Sequence, residues 1–254
     1  MLRTRVIPCL LLRKGGLVKT VGFADAKYVG DPINAVKIFN EKEVDELILL
    51  DIDASRDKRE PNYAQIQDIV SEAFMPIAYG GGVKTVEQAQ RVVSLGVEKV
   101  VVNSAVLGSM DIIARLSERL GSSSTVVAVD VKKDWLGRYR VYNATVGKTT
   151  DKDLFEYIRQ AEESGAGEIF INDVARDGTG KGYDLPLLHK VCTSVRVPVI
   201  ACGGAGTLDH FREAVAAGAS AVSAGSMFVY VGKHRAVMIN YPQYRVLQEL
   251  FERD

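Results

Sequence analysis

The stretch PIAYGGGVKTVEQAQRVVSLGVEKVVVNS, residues 76–104, returns in altered form as residues 198–226, PVIACGGAGTLDHFREAVAAGASAVSAGS. Laid over one another without a gap, the two share a first proline, a Gly-Gly pair, a threonine before a helical pattern and a last serine. In each, a short apolar run leads through glycines into a helix that ends in glycine, which predicts a β-strand followed by an α-helix. Glu46 and Asp51 match Glu168 and Asp173 at the same offset, so the repeat indicates a duplicated half-barrel.

Further short apolar runs occur along the chain, with helical patterns between most of them. Eight strands alternating with helices in about 250 residues is the element count of a (β/α)8 TIM barrel, an α/β fold. No linker or low-complexity segment divides the chain, so residues 1–254 are predicted to form a single (β/α)8 barrel domain. The predicted strands are Arg5–Leu11, Glu46–Ile52, Pro76–Gly80, Lys99–Asn103, Val126–Asp130, Glu168–Asn172, Pro198–Cys202 and Ala221–Ala224.

The composition argues against several functional classes. Apolar residues make up 47% and charged residues 25%, as in ordinary globular proteins, and 32 basic residues balance 32 acidic ones. This balance argues against binding to nucleic acid or to a membrane surface, and no apolar run or signal peptide indicates membrane insertion. Three cysteines, Cys9, Cys192 and Cys202, fit no zinc or redox spacing. We therefore expect a cytoplasmic protein with reduced thiols, without a metal and without a cofactor.

The repeat also predicts where a ligand binds, because active sites of such barrels lie at the carboxyl ends of the strands. Glycines let backbone N–H groups approach an anion, a following helix adds its dipole, and serine adds a hydroxyl donor. Two such corners across the mouth predict a ligand with a phosphate at each end, although tight turns alone would also explain the glycines. We name Gly81, Gly82, Asn103 and Ser104 the first phosphate corner, and Gly203, Gly204, Gly225 and Ser226 the second phosphate corner.

An acid and a glycine-rich loop are expected at the same mouth. Side chains alternate along a barrel strand, and this alternation turns Asp130 and Asn172 inward. A buried ionisable group is costly unless it is used, so Asp130 is predicted to be a general acid or base, or alternatively a structural hydrogen-bond acceptor. The closing loop, Arg176–Asp184, follows the sixth strand and contains Asp177 and Gly178 as candidate ligand-binding residues. It is expected to cover the mouth, unless it is a mobile surface loop.

The first strand differs from its repeat partner at one position. PCLLLRKGG, residues 8–16, and VAVDVKKDW, residues 127–135, each contain an apolar strand, a basic pair and a predicted loop. A shift of three residues relative to the repeat offset places Leu11 over Asp130, so one copy has an acid where the other has an aliphatic side chain.

The same alternation places four charges at the bottom of the barrel. Two cations and two anions begin the first, second, fourth and sixth strands and can form a neutral ring, which we name the charged ring: Arg5, Glu46, Lys99 and Glu168. From spacing alone, the favoured interpretation is a plug of salt bridges that stabilises the lower rim.

Eight segments spread along nearly the whole chain form a specific set: RVIPC, DELILLDIDAS, GGGV, EKVVVNSA, VVAVDVK, GAGEI, RDGTGKGYD and GGAGTLDHF. In these segments the chain resembles the cyclase subunit of imidazole glycerol phosphate synthase. The resemblance implies a subunit that binds a separate class I glutaminase at its amino-terminal face, and through which ammonia travels to the mouth. It also implies that the charged ring gates the ammonia path, that Lys19 is retained in the loop after the first strand, and that the corners bind a doubly phosphorylated ribulosyl substrate.

Two departures set the chain apart from the cyclases it resembles. The family uses two aspartates, of which one corresponds to Asp130 and the other to Leu11, and loss of such a group costs roughly 100- to 10,000-fold in rate. The C-terminal segment, Tyr230–Pro242, replaces the usual helix pattern. Together these resemble paralogues of lipopolysaccharide and other surface-polysaccharide synthesis, which supply ammonia to a sugar amidotransferase that builds an acetamidino group. A lineage-specific terminal helix without functional meaning is the alternative for the segment.

Three functions stay open on the sequence alone. The chain can be an ammonia-delivering barrel, an authentic cyclase of histidine biosynthesis, or a scaffold that only stabilises a partner. The retained phosphate corners argue against a scaffold, which has no need of them. Asn172 stands where the family usually has a hydroxyl residue, which is a further local departure at the mouth.

Overall fold

The computed structural model describes residues 4–252. Numbered along the chain, its strands are β1 Arg5–Arg13, β2 Gly16–Val21, β3 Ala24–Gly30, β4 Leu47–Asp51, β5 Ile77–Gly80, β6 Lys99–Val102, β7 Thr125–Lys133, β8 Tyr139–Asn143, β9 Lys148–Asp153, β10 Glu168–Asp173, β11 Val199–Cys202, β12 Ala221–Ala224, β13 Tyr230–Val231 and β14 Ala236–Val237. The helices are α1 Pro32–Glu41, α2 Tyr63–Val70, α3 Val86–Ser94, α4 Ser104–Gly108, α5 Asp111–Leu120, α6 Leu154–Glu163, α7 Leu185–Ser194, α8 Leu208–Ala216, α9 Ser226–Val229 and α10 Tyr244–Glu252.

Eight parallel strands close into a barrel. In order around the barrel these are β1, β4, β5, β6, β7, β10, β11 and β12, and β12 pairs back onto β1 with Arg5 opposite Ala221. Helices lie between consecutive barrel strands, so the (β/α)8 barrel predicted from the sequence is confirmed. The predicted strand ends differ from the observed ones by no more than three residues.

Two barrel strands are longer than predicted because they leave the barrel as hairpins. β1 continues to Arg13, and a two-residue turn at Lys14 and Gly15, with φ of 48° and 83°, leads into the antiparallel β2. Positive φ at both positions is what a tight hairpin turn of this hand requires. The loop predicted after the first strand is therefore wrong, and Lys19 lies on β2 rather than in a loop.

A second hairpin extension rises from β7. This strand runs on to Lys133 and pairs with the antiparallel β8, which pairs in turn with β9. The two extensions meet above the barrel, where the rings of Phe23 and Tyr142 form an edge-to-face contact with centroids 6.1 Å apart. The barrel mouth is thus bordered by two β-extensions that the sequence patterns did not predict.

The core has two layers, as the alternation of side chains predicted. One apolar layer fills the space between strands and helices, and it includes Phe39, Tyr79 and Phe211. A separate, largely apolar layer fills the inside of the barrel, where the buried Ser223 hydroxyl donates to the Ile7 carbonyl. Its apolar members are Ile7, Cys9, Ile48, Ala78, Val101, Val126, Ala128, Phe170, Ile200, Cys202 and Ala221. Asp130 and the charged ring therefore lie at opposite ends of a largely apolar interior.

Helices at matching positions of the repeat end in the same way. Gly96 after α3 and Gly218 after α8 have φ of 104° and 108°. A Cβ atom on Gly96 would lie 2.9 Å from Val70 of α2, and a Cβ atom on Gly218 would lie 2.9 Å from Cys192 of α7. Only glycine fits that conformation and approach. Among residues 4–252, no helix is long and apolar enough to span a membrane.

The C-terminal segment, Tyr230–Pro242, forms a hairpin and then a return along the barrel. β13 and β14 make the hairpin, after which Met238 and Asn240 bond through their N–H groups to Val229 and Phe228. The hydroxyl of Tyr241 then donates to the Val6 carbonyl at 2.8 Å, beside the start of β1. The final helix α10 follows and packs on α8, so the segment replaces a simple strand-to-helix connection.

Candidate functional site

A cavity of about 250 Å³ opens at the carboxyl ends of the barrel strands. Three residues predicted for ligand binding, Gly178, Gly203 and Gly204, are not in its wall. The others meet there, and the wall includes Leu11, Lys19, Gly81, Gly82, Asn103, Ser104, Asp130, Asn172, Asp177, Gly225 and Ser226.

Asp130 lies at the base of this cavity with two amides beside it. Asn103 donates through Nδ2 to Asp130 Oδ2 at 2.8 Å, and Asn172 Nδ2 lies 3.5 Å from Oδ1. Burial is the largest influence on the carboxyl and raises its pKa to about 7, against the hydrogen bond from Asn103, which favours the charged form. Asp130 can therefore both accept and release a proton near neutral pH, which is what a general acid or base requires.

Asn172 leaves one polar atom unused. Its Oδ1 is buried, and among the described residues it is the one buried side-chain nitrogen or oxygen that has no hydrogen-bond partner. An unsatisfied buried acceptor costs roughly 1–3 kcal/mol, so the position of this amide carries a free-energy cost.

Leu11 gives the cavity an apolar side. It is the register partner of Leu50 on the adjacent strand, and both side chains line the cavity while packing on the interior of the barrel. No carboxylate on β1 faces Asp130, because the positions of this strand that line the cavity are Cys9, Leu11 and Arg13. Asp130 is thus the carboxylate at this end of the cavity, and β1 contributes an aliphatic side chain opposite it.

Lys19 reaches the second phosphate corner from β2. Its Nζ donates to the Cys9 carbonyl at 2.5 Å, and a Cβ on Gly225 would lie only 2.6 Å from that nitrogen. The side chain is buried, and burial is the largest influence on the ammonium and lowers its pKa. A buried cation next to Gly225 and Ser226 makes this corner suitable for an anion.

The closing loop lies on the glycine pair of the second phosphate corner. Gly182 donates its N–H to the Gly204 carbonyl at 2.8 Å, which explains why this glycine pair is not in the cavity wall. Asp177 is fixed by the Thr20 hydroxyl, which donates to Oδ2 at 3.0 Å. A Cβ on Gly178 would lie 2.3 Å from the Thr20 carbonyl, so this glycine allows the loop to contact β2.

The first phosphate corner includes a residue that the motif search missed. Ser55 accepts a hydrogen bond from the Ser104 hydroxyl at 2.8 Å and lies 3.4 Å from the Gly82 N–H. The internal repeat could have indicated Ser55, because the offset that aligns Pro76 with Pro198 also aligns Ser55 with Asp177, a candidate ligand-binding residue. Arg13 and Arg56 also line the cavity and were missed, and both bond to Asp53.

The charged ring is assembled at the opposite end of the barrel. Glu46 forms salt bridges with Arg5 at 2.5 Å and with Lys99 at 3.0 Å. Glu168 forms salt bridges with the same two cations, with Arg5 at 2.6 Å and with Lys99 at 3.2 Å. Burial disfavours the Arg5 guanidinium, but the two carboxylates outweigh it and raise its pKa. The four side chains thus alternate in charge and close the lower end of the interior.

A closed barrel with a buried acid in a cavity at the carboxyl ends of its strands has the layout of a (β/α)8 barrel enzyme. The profile of the histidine biosynthesis protein family matches residues 5–235. The chain belongs to this family, and within it to the HisF-like barrels.

Individual relatives agree with this assignment. A Pseudomonas aeruginosa protein, provisionally named imidazole glycerol phosphate synthase subunit hisF2, is 52% identical over 251 residues, or 97% of this chain and 99% of its own. A Vibrio vulnificus protein with the provisional name hisF3 is 52% identical over 247 residues, covering 95% and 94%. The imidazole glycerol phosphate synthase subunit HisF of Gluconacetobacter diazotrophicus is 39% identical over 228 residues, covering 90% and 88%. The chain is thus more similar to these two numbered paralogues than to this HisF subunit.

Proposed function

We propose that the chain is the barrel subunit of a glutamine-dependent complex of the imidazole glycerol phosphate synthase type, and that it passes on ammonia from a separate glutaminase. In this proposal the ammonia is used to build an amidino group on a sugar for lipopolysaccharide or another surface polysaccharide. The observation that carries the proposal is Leu11, which lines the cavity at the position where the resemblance to the cyclases implies their first aspartate.

The interior of the barrel supports ammonia transfer. The layer between the charged ring and Asp130 is largely apolar, and such an interior favours neutral ammonia over ammonium because burial of a charge is costly. Opening the charged ring would connect the amino-terminal face to this interior. Asp130, with a pKa of about 7, is an acid or base that ammonia would meet at the mouth.

The cavity supports a phosphorylated ligand as the companion of ammonia. Lys19 and the backbone at Gly225 and Ser226 offer one anion site, and Gly82 with Ser104 offers the other. A ligand that occupies the mouth can signal to the glutaminase that an acceptor is ready. A pure scaffold would need neither corner.

Ammonia delivery is tested with the purified chain, its glutaminase and the sugar amidotransferase. Glutamine hydrolysis and amidino-sugar formation are measured with and without the chain, and both should depend on it. Equal product from glutamine in the absence of the chain would refute the proposal. Free ammonium chloride as nitrogen source is the control, because it bypasses the barrel.

The alternative is an authentic cyclase of histidine biosynthesis, favoured by the intact Asp130 and by the two phosphate corners. Complementation of a histidine auxotroph that lacks the cyclase subunit separates the two functions. The ammonia-delivery proposal expects no rescue by the wild-type chain, and robust rescue would establish the alternative.

Leu11→Asp tests whether the missing acid is what limits cyclase chemistry. Restoring a positioned acid should raise residual cyclase turnover by roughly 100-fold or more. Leu11→Asn has nearly the same shape as the aspartate without its charge and is the matched control. An unchanged rate in Leu11→Asp would mean that other residues of the mouth, Asn172 among them, have also diverged from cyclase function.

A further inference from the structure

One aromatic side chain projects into solvent at the amino-terminal face. Phe74 precedes β5 and is 90% exposed, the most exposed large hydrophobic residue in the part of the chain that the structure describes. Its loop is anchored to the lower rim of the barrel, since the Leu47 N–H donates to the Pro76 carbonyl at 2.9 Å. Phe74 therefore lies at the same end of the barrel as the charged ring.

The loop holds Phe74 outward by a specific contact. Asn40 in the last turn of α1 donates through Nδ2 to the Glu72 carbonyl at 2.6 Å, and its Oδ1 accepts the Phe74 N–H at 3.0 Å. Both ends of one amide are thus used to fix the backbone on either side of Ala73. A binding residue that is already fixed in place loses less conformational entropy when a partner covers it.

Phe74 lies within reach of any partner that seals the charged ring. The bond from the Leu47 N–H to the Pro76 carbonyl starts one residue after Glu46 of the charged ring, and the two residues from Pro76 back to Phe74 span at most about 7 Å. A standard interface buries about 800 Å² on each partner, which corresponds to a disc of roughly 16 Å radius. An interface centred on the charged ring therefore covers this loop.

The surroundings of Phe74 are acidic. The end of α1 and the three loops that precede β4, β5 and β6 carry the exposed or half-buried acids Glu41, Glu43, Glu72 and Glu98. Glu72 is paired with Lys37, and Lys42 is a further exposed cation in the loop before β4. A partner surface that complements this region has an apolar pocket bordered by lysine or arginine.

From these contacts we infer that Phe74 is the anchor residue by which the amino-terminal face binds the glutaminase subunit, with the acidic loops around it selecting a basic rim on that partner. The inference rests on the proposed function, which places a glutaminase over this face. Aromatic residues are enriched in the buried centres of interfaces, where a few side chains contribute most of the affinity.

The test compares two exposed aromatic residues at opposite ends of the barrel. Affinity for the purified class I glutaminase subunit of the source organism is measured by calorimetry for the wild-type chain, Phe74→Ala and Trp135→Ala. Trp135, in the turn between β7 and β8, is 88% exposed and is the matched control. We expect roughly 30-fold weaker binding for Phe74→Ala and a change within about twofold for Trp135→Ala.

The outcomes separate this inference from the proposed function. If the wild-type chain binds tightly and Phe74→Ala binds equally well, the anchor is wrong while the complex stands. If the wild-type chain binds no glutaminase, the proposed function fails and the anchor fails with it. Sedimentation of the chain alone is the further check, because a dimer that Phe74→Ala dissociates would assign this face to a second copy instead. A loss of affinity with rising salt is expected from the acidic loops.

Discussion

Replacing Glu46 with glutamine should measure how strongly the charged ring supports the barrel. Glu46 is almost completely buried, with 4% of its side chain exposed, and it accepts bonds from both Arg5 and Lys99. Glutamine keeps the shape and loses the charge, so two cations would share Glu168 as their one remaining carboxylate in the charged ring.

The expected size of the effect follows from burial. Removing one partner of a fully buried ion pair costs about 3–5 kcal/mol. Arg5 and Lys99 have 26% and 17% of their side chains exposed, so water screens part of the excess charge and we expect a loss of about 2 kcal/mol. For a chain of this size, that corresponds to a fall in Tm of roughly 4–8 °C.

Urea unfolding followed by circular dichroism measures the difference in the free energy of unfolding. Glu72→Gln is the matched control, because it removes a surface ion pair to Lys37 whose side chains are 52% and 41% exposed. This variant should lose less than about 1 kcal/mol, and the loss should shrink in high salt. The reasoning is refuted if Glu46→Gln loses no more than Glu72→Gln.

Two further changes probe the mouth. Asp130→Asn should stabilise the fold above pH 7 by roughly 4 kcal/mol, since the folded pKa of about 7 lies above the ordinary 3.8 and the carboxylate is disfavoured by burial. In the wild type, the free-energy cost of burying the ionised Asp130 carboxylate is absent below about pH 4 and complete above about pH 7. The urea midpoints of the wild type and the variant should therefore diverge between these two pH values. Gly178→Ala should detach the closing loop from β2 and expose it to limited proteolysis. Gly180→Ala is the control and should leave the loop in place. Gly180 has nearly the same φ as Gly178, 68° against 70°, but the nearest atom to an added Cβ is 3.9 Å away. Equal cleavage of the two variants would exclude the clash as the cause.

The barrel strands and the inward-facing residues were predictable because they depend on local periodicity and on an internal repeat. Asp130, Asn103 and Asn172 could be assigned to one cavity from alternation alone, and the structure joins them by hydrogen bonds. The four residues of the charged ring could be grouped in the same way, since each stands at the start of a barrel strand or, for Glu46, directly before it.

Other features depend on contacts that no local pattern encodes. The turn at Lys14 and Gly15 lacks the Asn-Gly signature of a tight hairpin, so the extension of β1 was predicted as a loop. The covering of the glycine pair in the second phosphate corner depends on the contact between Gly182 and Gly204, on the loops after the adjacent strands β10 and β11. Ser55 could have been found by applying the repeat offset to every polar residue near the strand ends.

The contacts of β1 also set an order of events for the chain during its synthesis. This strand needs β12 as a neighbour, and its Val6 carbonyl is bonded by Tyr241, 235 residues further along. Long-range pairing of this kind carries a large loop-closure cost and forms slowly. Closure of the barrel is therefore a late event of folding. The strand that carries Leu11 and Arg5 is made among the first and fully enclosed among the last.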